Sequence, residues 1–296
     1  MMRIGLIGTG MLGNAVGLHL LESGYQLSIF NRTKSKTDEL VKHGAILLES
    51  PKKVAKVSDL VFTIVKDANA VKEISFGKNG ICEGKHDNLV IADMSTINPN
   101  SSRDIAKQFN NQGITMLDTP VMGGPNVAIK GKLVLMASGD KPTFEKYKKI
   151  FEIVASKIFF LGKNGTAHTI KLSMNLQIAM LALALSEGIT LAIGAGIEPK
   201  VFLDILNSTY FKTGMSENKA YKMINNEFPP TFTLNNLKKD LDTINETAKE
   251  IGIILPMTKK ANEMYDKAVE EGFGELDYTG ILSYLKEATK LANQHN

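Results

Sequence analysis

The arrangement of apolar residues changes near residue 162, and this change most constrains the fold. Before it, short apolar runs alternate with amphipathic helical stretches such as Met11–Glu22, Lys34–Lys42 and Asn100–Phe109. The strand-like runs are residues 3–7, 26–30, 60–65, 89–93, 114–118, 133–137 and 158–161. Strands and helices in alternation indicate parallel strands joined by right-handed crossovers. The first part of the chain is therefore predicted to be an α/β domain built on an open, doubly wound sheet.

Strand signals stop after Gly165, and helical patterns follow. The segment Thr166–Gly194 is apolar on almost every side in its middle, which predicts a helix covered by its own domain or by a second subunit. Further helices are expected from Pro199 and around residues 217–225, 233–251, 256–271 and 279–293. The sequence thus predicts a domain of residues 1–162 and an all-α domain of residues 163–296 that opens with a long interdomain helix.

Composition excludes several classes of protein. A single cysteine, Cys82, cannot form an internal disulfide, and no Cys/His cluster has metal-ligand spacing, so no metal site is predicted. The start of the chain lacks the pattern of a signal peptide, and we expect a cytoplasmic protein. The longest unbroken apolar run, residues 178–185, is short for a membrane span. The net charge of +4 is spread out, so neither a membrane nor a nucleic-acid partner is predicted.

A glycine-rich segment, Gly8-Thr9-Gly10-Met11-Leu12-Gly13, lies between the first strand-like run and the first helix. It fits the pattern G-x-G-x-x-G, which is informative only in this strand-to-helix context. In such a segment the first glycine allows a tight turn, the second lets backbone approach a pyrophosphate and the third lets the helix pack on the strand. The segment predicts a Rossmann-type dinucleotide site that includes Gly8, Thr9, Gly10, Met11 and Leu12; a glycine-rich turn without a ligand is the alternative.

The residues after the second strand-like run bear on the choice of dinucleotide. Enzymes that use NAD usually carry Asp or Glu there to bind the ribose hydroxyls. This chain has Asn31, Arg32 and Thr33, which supply hydrogen-bond donors in place of a carboxylate. A guanidinium can bind a 2′-phosphate with two parallel hydrogen bonds. We therefore favour NADP (NADPH) over NAD, with an exposed arginine beside a turn-forming asparagine as the alternative.

Lys171 and Asn175 are the polar pair with the clearest chemical meaning in the second half of the chain. Their spacing of four residues places them on one face of the long apolar helix. Burial of either group without a partner is costly, so each needs a contact or a function. A lysine beside a bound nicotinamide can protonate the oxygen of a carbonyl that is being reduced. The alternative is a lysine whose amine reaches solvent and an asparagine that links two helices.

Several motifs in register resemble the β-hydroxyacid dehydrogenase family, which includes 3-hydroxyisobutyrate dehydrogenases, tartronate semialdehyde reductases and glyoxylate/succinic semialdehyde reductases. The matching segments are Gly8–Gly13, Asp93-Met94-Ser95-Thr96, Thr119-Pro120-Val121-Met122-Gly123-Gly124, Gly165 with Lys171 and Asn175, and Phe232-Thr233-Leu234 before Lys239-Asp240. The resemblance implies a Rossmann-type domain followed by an all-α domain. It also implies a homodimer or homotetramer.

The resemblance assigns expected roles to individual residues. Lys171 matches the catalytic lysine of the family. The positions expected to contact the cofactor, besides the glycine-rich turn and residues 31–33, are Val65, Lys66, Thr96 and Lys239. The positions expected to contact the substrate are Ser95, Met122, Gly123, Gly124, Asn175, Phe232 and Asp240. The resemblance thus implies one site that binds NADP(H) and a small carboxylic acid.

Two positions depart from the family pattern. Met122 stands where the family usually has a serine whose hydroxyl helps to hold the substrate carboxylate, and a thioether cannot donate that hydrogen bond. The backbone N–H groups of Gly123 and Gly124 can still hold the carboxylate. Ala167 replaces a common glycine just before the catalytic helix. We expect the first change to alter which acid is preferred.

The expected activity is an NADP(H)-dependent interconversion of a small β-hydroxy or γ-hydroxy carboxylic acid with its semialdehyde or oxo acid. Lys171 would serve as the general acid and base. One alternative is an NAD(P)-dependent dehydrogenase of serine or 3-hydroxyisobutyrate. A further alternative is an NADP-binding protein without catalysis. An imine reductase is disfavoured, since such enzymes share this architecture but generally lack the lysine.

Overall fold

The computed structural model describes residues 2–290; residue 1 and residues 291–296, with the end of the predicted helix at 279–293, lie outside the described part. The chain divides into two compact units, Met1–Leu172 and Ser173–Asn296. This division falls inside the helix Thr166–Gly194, beyond the predicted end of the first domain at residue 162. Lys171 consequently belongs to the first unit and Asn175 to the second.

The strands all lie in the first unit of the described chain. They are β1 (Ile4–Ile7), β2 (Leu27–Phe30), β3 (Ile46–Leu47), β4 (Leu60–Thr63), β5 (Val90–Asp93), β6 (Thr115–Asp118), β7 (Val121–Met122), β8 (Leu133–Ala137) and β9 (Ala155–Phe160). Six of them form a parallel sheet with the order β3-β2-β1-β4-β5-β6. The direction of winding reverses between β1 and β4, which confirms the predicted doubly wound sheet. In such sheets ligands bind beyond the carboxyl ends of the strands at this reversal.

Helices cover both faces of the parallel sheet. They are α1 (Met11–Glu22), α2 (Asp38–Lys42), α3 (Pro51–Val57), α4 (Ala68–Phe76), α5 (Pro99–Asn111), α6 (Pro125–Ala128) and α7 (Lys141–Val154). Leu60 and Phe62 of β4 are buried in one apolar cluster with Phe151 of α7, whereas Val61 is buried in another with Ile105 of α5. Successive residues of a strand point to opposite faces, so a strand buried on both sides is apolar throughout.

The last two strand-like runs form a separate small sheet, which the sequence analysis did not foresee. There β8 pairs with β7 antiparallel and with β9 parallel. Only Thr119 and Pro120 connect β6 to β7, and a parallel crossover needs a dozen or more residues. The chain therefore leaves the parallel sheet at this point. A single bridge between Asp118 and Ser138 joins the two sheets.

The second unit consists of helices in its described part, as predicted, apart from one isolated β-bridge. Its helices are the larger part of α8 (Thr166–Gly194), α9 (Pro199–Asn207), α10 (Gly214–Asn218), α11 (Ala220–Ile224), α12 (Leu234–Ile251), α13 (Pro256–Ala268) and α14 (Ile281–Ala288). The hydroxyl of Thr233 caps the start of α12, and Gly252 ends it in the left-handed conformation. Leu185 and Ile189 of α8 are buried in a core with Leu203.

Helix α8 is long and apolar enough to cross a bilayer by length and composition alone. Its most apolar window of 18 residues has a mean hydropathy of 1.8, and 44% of that window is buried within the protein. The core helix of a soluble protein has the same two properties, so they are a weak indication of a membrane span.

Candidate active site

The glycine-rich turn after β1 has a backbone that its first and third glycines make possible. Gly8 has a φ of +99°, and a Cβ there would lie 2.1 Å from the carbonyl oxygen of Ile64. A Cβ on Gly13 would lie 2.1 Å from the carbonyl oxygen of Gly8. Gly10 differs, because a Cβ there would meet nothing within 4 Å. Gly8 and Gly13 therefore serve the fold of the turn, and Gly10 leaves open space in front of α1.

The start of α1 suits a dinucleotide phosphate. Gly10 caps the helix without a side-chain hydrogen bond, and its first turn contains no acidic residue. The hydroxyl of Thr9 is buried and has no hydrogen-bond partner among the described residues. Helix N-termini offer backbone N–H groups and a positive dipole end to anions. The residues present thus fit a pyrophosphate, with Gly10, Met11 and Leu12 forming the start of the helix.

The segment after β2 carries exposed cations beside the turn. The amide oxygen of Asn31 accepts the N–H of Thr9 at 3.1 Å, and its amide nitrogen donates to the carbonyl of Thr33 at 2.8 Å. The Asn31 amide therefore braces the turn, whereas we expected it to supply a donor to the cofactor. The side chains of Arg32 and Thr33 are exposed, as is that of Lys34 after them. Cationic side chains at this position match a 2′-phosphate.

The loops after β4 and β5 are tied together by Ser95. Its hydroxyl donates to the Asp93 carboxylate at 2.8 Å and accepts the N–H of Val65 at 3.0 Å. Ser95 is 3% exposed, so its hydroxyl shapes these loops, whereas the resemblance places it against the substrate. Lys66 is exposed and Thr96 is half-buried, so both can be reached from outside. The predicted cofactor-contacting residues 65, 66 and 96 therefore share one pair of hydrogen-bonded loops.

Lys171 lies against the segment after β7. Its Nζ is 3.3 Å from the Sδ of Met122, in the same unit as the glycine-rich turn. Gly123 follows with a φ of +122°, where a Cβ would lie 2.8 Å from Leu133. Gly124 has open space around its Cα. The structure thus brings together the predicted lysine, the methionine that replaces the family serine, and the two glycines.

A buried histidine that was not predicted from the sequence lies beside this lysine. His168 lies in the first turn of α8 and is fully buried. Its Nε2 is 3.7 Å from Asp118 and 3.9 Å from Asp93, at the ends of β6 and β5. Burial raises the pKa of Asp93, and the negative charge of Asp118 acts in the same direction. The available signal was a histidine three residues before the lysine on an apolar helix, next to two strands that end in Asp.

Within the second unit, three predicted site residues form a cluster. The amide of Asn175 donates a hydrogen bond to Asp240, and the Lys239 ammonium lies 2.7 Å from the other oxygen of that carboxylate. Asn175 and Asp240 are each 1% exposed. The half-buried ring of Phe232 packs edge-on against Tyr278, with the ring centroids 6.1 Å apart. Asp240 therefore orients the asparagine that the resemblance assigns to the substrate.

A second ion pair of this unit holds the segment that contains Phe232. The Lys219 ammonium is 2.8 Å from both oxygens of Asp277, and the hydroxyls of Thr231 and Thr279 donate to the same carboxylate. Burial works to raise the pKa of Asp277, but the hydrogen bonds and the charge of Lys219 outweigh burial and lower it. Asp277 is therefore ionised at neutral pH.

A cavity of about 490 Å³ lies elsewhere in the first unit. It is lined by Arg103, Lys107, Thr115, Gly139 and Lys163 among others. No predicted site residue lines it, so it has no part in the proposed chemistry.

Two known family models match almost the whole chain. Residues 3–162 match the NAD-binding domain of 6-phosphogluconate dehydrogenase, and residues 165–285 match the NAD-binding region of NADP-dependent 3-hydroxyisobutyrate dehydrogenase. The first match covers the unit that carries the glycine-rich turn. A nicotinamide cofactor therefore binds to this chain.

Known relatives match over nearly their full length. Glyoxylate/succinic semialdehyde reductase 1 of Arabidopsis thaliana is 33% identical over 96% of this chain and 99% of its own. The 2-hydroxy-3-oxopropionate reductase of Escherichia coli strain K12 is 31% identical over 96% of this chain and 97% of its own. A 3-hydroxyisobutyrate dehydrogenase structure from Salmonella typhimurium is 25% identical, covers 96% of this chain and 100% of its own, and has a TM-score of 0.87. The chain therefore belongs to the β-hydroxyacid dehydrogenase family of NAD(P)-dependent oxidoreductases that act on CH–OH groups.

Proposed function

We propose that this enzyme interconverts a small hydroxy acid and its semialdehyde or oxo acid with NADP(H), and that Lys171 is its general acid and base. The observation that carries the proposal is the position of the Lys171 amine. It belongs to the unit with the dinucleotide turn and lies 3.3 Å from Met122, beside the Gly123-Gly124 backbone. An amine near a carboxylate-holding backbone can exchange a proton with the oxygen of a bound acid's carbonyl or hydroxyl.

The reaction divides between the cofactor and the chain. The nicotinamide, when bound, supplies a hydride for reduction or accepts one for oxidation. In the reductive direction the Lys171 ammonium gives its proton to the carbonyl oxygen, which becomes the product hydroxyl. In the oxidative direction the neutral amine accepts that proton. Asp240 holds the Asn175 amide in place for the substrate.

The contact between Met122 and Lys171 bears on substrate choice. A thioether is apolar and a weak acceptor, so the hydrogen bond that Met122 accepts from Lys171 is a weak one. It also removes the side-chain donor that most relatives offer to the substrate carboxylate. Backbone N–H groups of Gly123 and Gly124 then hold the carboxylate, and the methyl group of Met122 favours a substrate with an apolar carbon beside the reacting centre. Methylmalonate semialdehyde and succinic semialdehyde have such carbons, whereas glyoxylate does not.

The preference for NADP is part of the proposal. It is supported by exposed Arg32 and Thr33 at the end of β2, and by the absence of a carboxylate at residues 31–33. Further support comes from the family that residues 165–285 match, which is described as NADP-dependent 3-hydroxyisobutyrate dehydrogenase. A cation near the ribose attracts a 2′-phosphate that a carboxylate would repel.

A matrix of substrates and cofactors tests the proposal. Glyoxylate, succinic semialdehyde, methylmalonate semialdehyde and 2-hydroxy-3-oxopropionate are each assayed with NADPH and NADH, and the corresponding hydroxy acids with NADP and NAD. We expect turnover of at least one semialdehyde, faster with NADPH, and poorer use of glyoxylate than of the larger substrates. Binding of NADPH without turnover of any acid would support the non-catalytic alternative instead.

A second candidate function is the oxidation of 3-hydroxyisobutyrate or serine with NAD(P). The observations that favour it are the description of the family matched by residues 165–285 and the likeness to the dehydrogenase structure from Salmonella typhimurium. The same matrix separates the two candidates. Faster turnover of 3-hydroxyisobutyrate or serine than of any semialdehyde would favour the second.

We also propose a homodimer or homotetramer in the cytoplasm. The second unit exposes large apolar side chains, including Leu191 at 76%, Ile254 at 87% and Met257 at 70%. Large exposed apolar side chains that lie together usually mark an interface. Light scattering coupled to size-exclusion chromatography tests the assembly, and a monomer at micromolar concentration would contradict it.

A further inference from the structure

The group that the proposed reaction leaves unexplained is the buried histidine of α8. His168 has no exposed surface, and neither ring nitrogen has a hydrogen-bond partner among the described residues. Its Nε2 faces Asp118 Oδ1 at 3.7 Å and Asp93 Oδ2 at 3.9 Å. A buried polar group without a partner is costly, so this arrangement needs a physical reason.

Asp118 supplies that reason, because its hydrogen bonds identify it as an ionised carboxylate. Four donors point at its two oxygens: the hydroxyls of Ser102 and Ser138, the amide of Asn164 and the backbone N–H of Gly165. A carboxylate has about four acceptor positions and, when ionised, no proton to donate. Asp118 therefore carries a negative charge while it is fully buried. A positive partner stabilises such a buried charge beyond what its hydrogen bonds provide.

Asp93 faces the same ring from the neighbouring strand. Its Oδ1 accepts hydrogen bonds from the hydroxyls of Thr63 and Ser95, whereas its Oδ2 has no hydrogen-bond partner among the described residues. The unpaired oxygen is the one nearest to His168. On the adjacent helix α5, Arg103 lies next to Gly165, but its guanidinium is bonded to the side chain of Asn100. The titratable groups that face the imidazole are thus the two aspartates.

We propose that His168 is a buried imidazolium, paired with Asp118 and Asp93, and that it is a positioning residue for Lys171. Asp118 also accepts the N–H of Gly165, and Ser138, which donates to Asp118, accepts the N–H of Ala167. The start of α8 is thereby fixed to the ends of β5, β6 and β8. Lys171 is three residues further along the same helix, so the rotation and height of this first turn set where its amine lies. The functional part of this inference rests on the proposed role of Lys171.

The charge of the imidazole can be tested without any assay of activity. Nitrogen-15 NMR of the histidine-labelled protein distinguishes an imidazolium from either neutral tautomer, and the chain has 5 histidines. We expect one imidazolium signal at pH 7 that disappears in His168→Gln. A neutral ring at His168 at pH 7 would overturn the ion pair.

Kinetics test the positioning role. In His168→Gln we expect kcat to fall roughly 10- to 100-fold, because a small misplacement of a reacting group is costly, while KM for NADPH changes less than about 2-fold. His168→Asn serves as a second variant if the first folds poorly, and His43→Gln, on the exposed surface, is the matched control. The pH dependence of kcat should also shift in the His168 variants, since the environment of the lysine changes.

The possible outcomes separate this inference from the proposed function. A lower melting temperature with an unchanged kcat and pH profile would mean that His168 is merely structural. If Lys171→Ala retains full turnover, the proposed function fails while the NMR result still decides the charge of His168. If Lys171→Ala is inactive and His168→Gln is fully active, the positioning role alone is refuted.

Discussion

Two helices that begin in the first unit, α1 and α8, begin in opposite ways. At the start of α1, Gly10 provides no side chain, and no acidic residue lies in the first turn. At the start of α8, the Asp118 carboxylate accepts the N–H of Gly165 and the Ser138 hydroxyl accepts the N–H of Ala167. Both starts have the same backbone polarity, with N–H groups that attract anions. One is left open to an external anion, and the other is filled by the protein itself.

The open start of α1 is suited to binding a ligand, whereas the filled start of α8 is suited to positioning a side chain. An open helix start can hold a phosphate and release it, because the protein commits no group of its own there. A filled start binds no external anion, but it fixes a helix rigidly where a side chain must be aimed. Substitutions near the start of α1 should therefore change cofactor binding, whereas substitutions on α8 should change turnover.

Removal of the proposed proton donor should give the largest effect. We expect Lys171→Ala to lower kcat about 100-fold or more, the scale of general acid–base catalysis, with NADPH binding nearly unchanged. Steady-state kinetics and fluorescence titration with NADPH measure the two quantities. Lys157→Ala, an exposed lysine of β9, is the control. Equal turnover in both variants would remove Lys171 from the chemistry.

A reversed charge beside the open start should change cofactor preference. We expect Arg32→Asp to lower the ratio of kcat/KM for NADPH to that for NADH by roughly 10- to 100-fold, because a carboxylate repels the 2′-phosphate. Lys42→Asp changes the same charge at an exposed site of α2 and should leave the ratio unaltered. If the ratio stays constant in Arg32→Asp, the 2′-phosphate is bound elsewhere.

A methyl group in the open space before α1 should weaken the binding of NADPH without lowering the stability of the protein. Gly10 has a φ of −68°, which alanine tolerates, and its Cβ would meet nothing within 4 Å. We expect Gly10→Ala to raise the Kd for NADPH about 10-fold, equal to about 1.4 kcal/mol, with an unchanged Tm. The same change at Gly194 of α8, which also has free space, should leave the Kd for NADPH unaltered. An unaltered Kd would place the pyrophosphate away from this turn.

In the second unit, the Asp277 side chain caps a helical turn in the same way that Asp118 caps α8. We expect substitution of Asp277 to have the smallest effect of those considered. This carboxylate caps the turn Tyr278–Gly280 that leads into α14. Hydrogen bonds to charged groups contribute about 1.5–3 kcal/mol, so Asp277→Asn should lower Tm by several degrees at pH 7. Thermal unfolding from pH 7 to pH 3 measures the difference, with exposed Asp242→Asn as the control.

The pH dependence of that effect has a defined sign. The pKa of Asp277 is lower in the folded protein than its ordinary value of 3.8. The stabilisation is therefore complete above the ordinary value and is lost as the pH falls through the folded-state pKa. The gap in Tm between wild type and Asp277→Asn should persist at pH 5 and narrow below about pH 4. A gap that is constant down to pH 3 would show that another group carries the effect.

The features that could be predicted from the sequence are those that depend on residues close together along the chain. The strand, turn and helix around Gly8–Gly13 were predictable, because strands and helices differ in the periodicity of their apolar residues and the turn requires glycine. The two-residue strands β3 and β7 were not, since two residues carry no alternation. The predicted helix at 34–42 is a 3₁₀ turn, Lys34–Thr37, followed by the short α2.

The candidate site shows the same limit. The spacing of Lys171 and Asn175 was visible in the sequence, but their partners Met122 and Asp240 lie far away along the chain. His168 gave little signal, because a histidine on an apolar helix has meaning only when the ends of two strands bring carboxylates to it. The hydrogen bonds of the Asn31 amide to Thr9 and Thr33 could not be predicted, because they depend on how the two turns fold against each other.

The edges of the parallel sheet have a consequence for how the first unit meets other molecules. One edge strand, β3, is two residues long, and the far edge at β6 is bridged at Asp118 by Ser138 of the small sheet. Long unpaired strands recruit further strands by backbone pairing, and short or covered ones do not. Neither edge of the parallel sheet can therefore be extended easily by strands of other copies of this chain. A neighbour that docks at these two edges must instead recognise side chains on the surrounding helices and loops, where a single substitution can change which partner is bound.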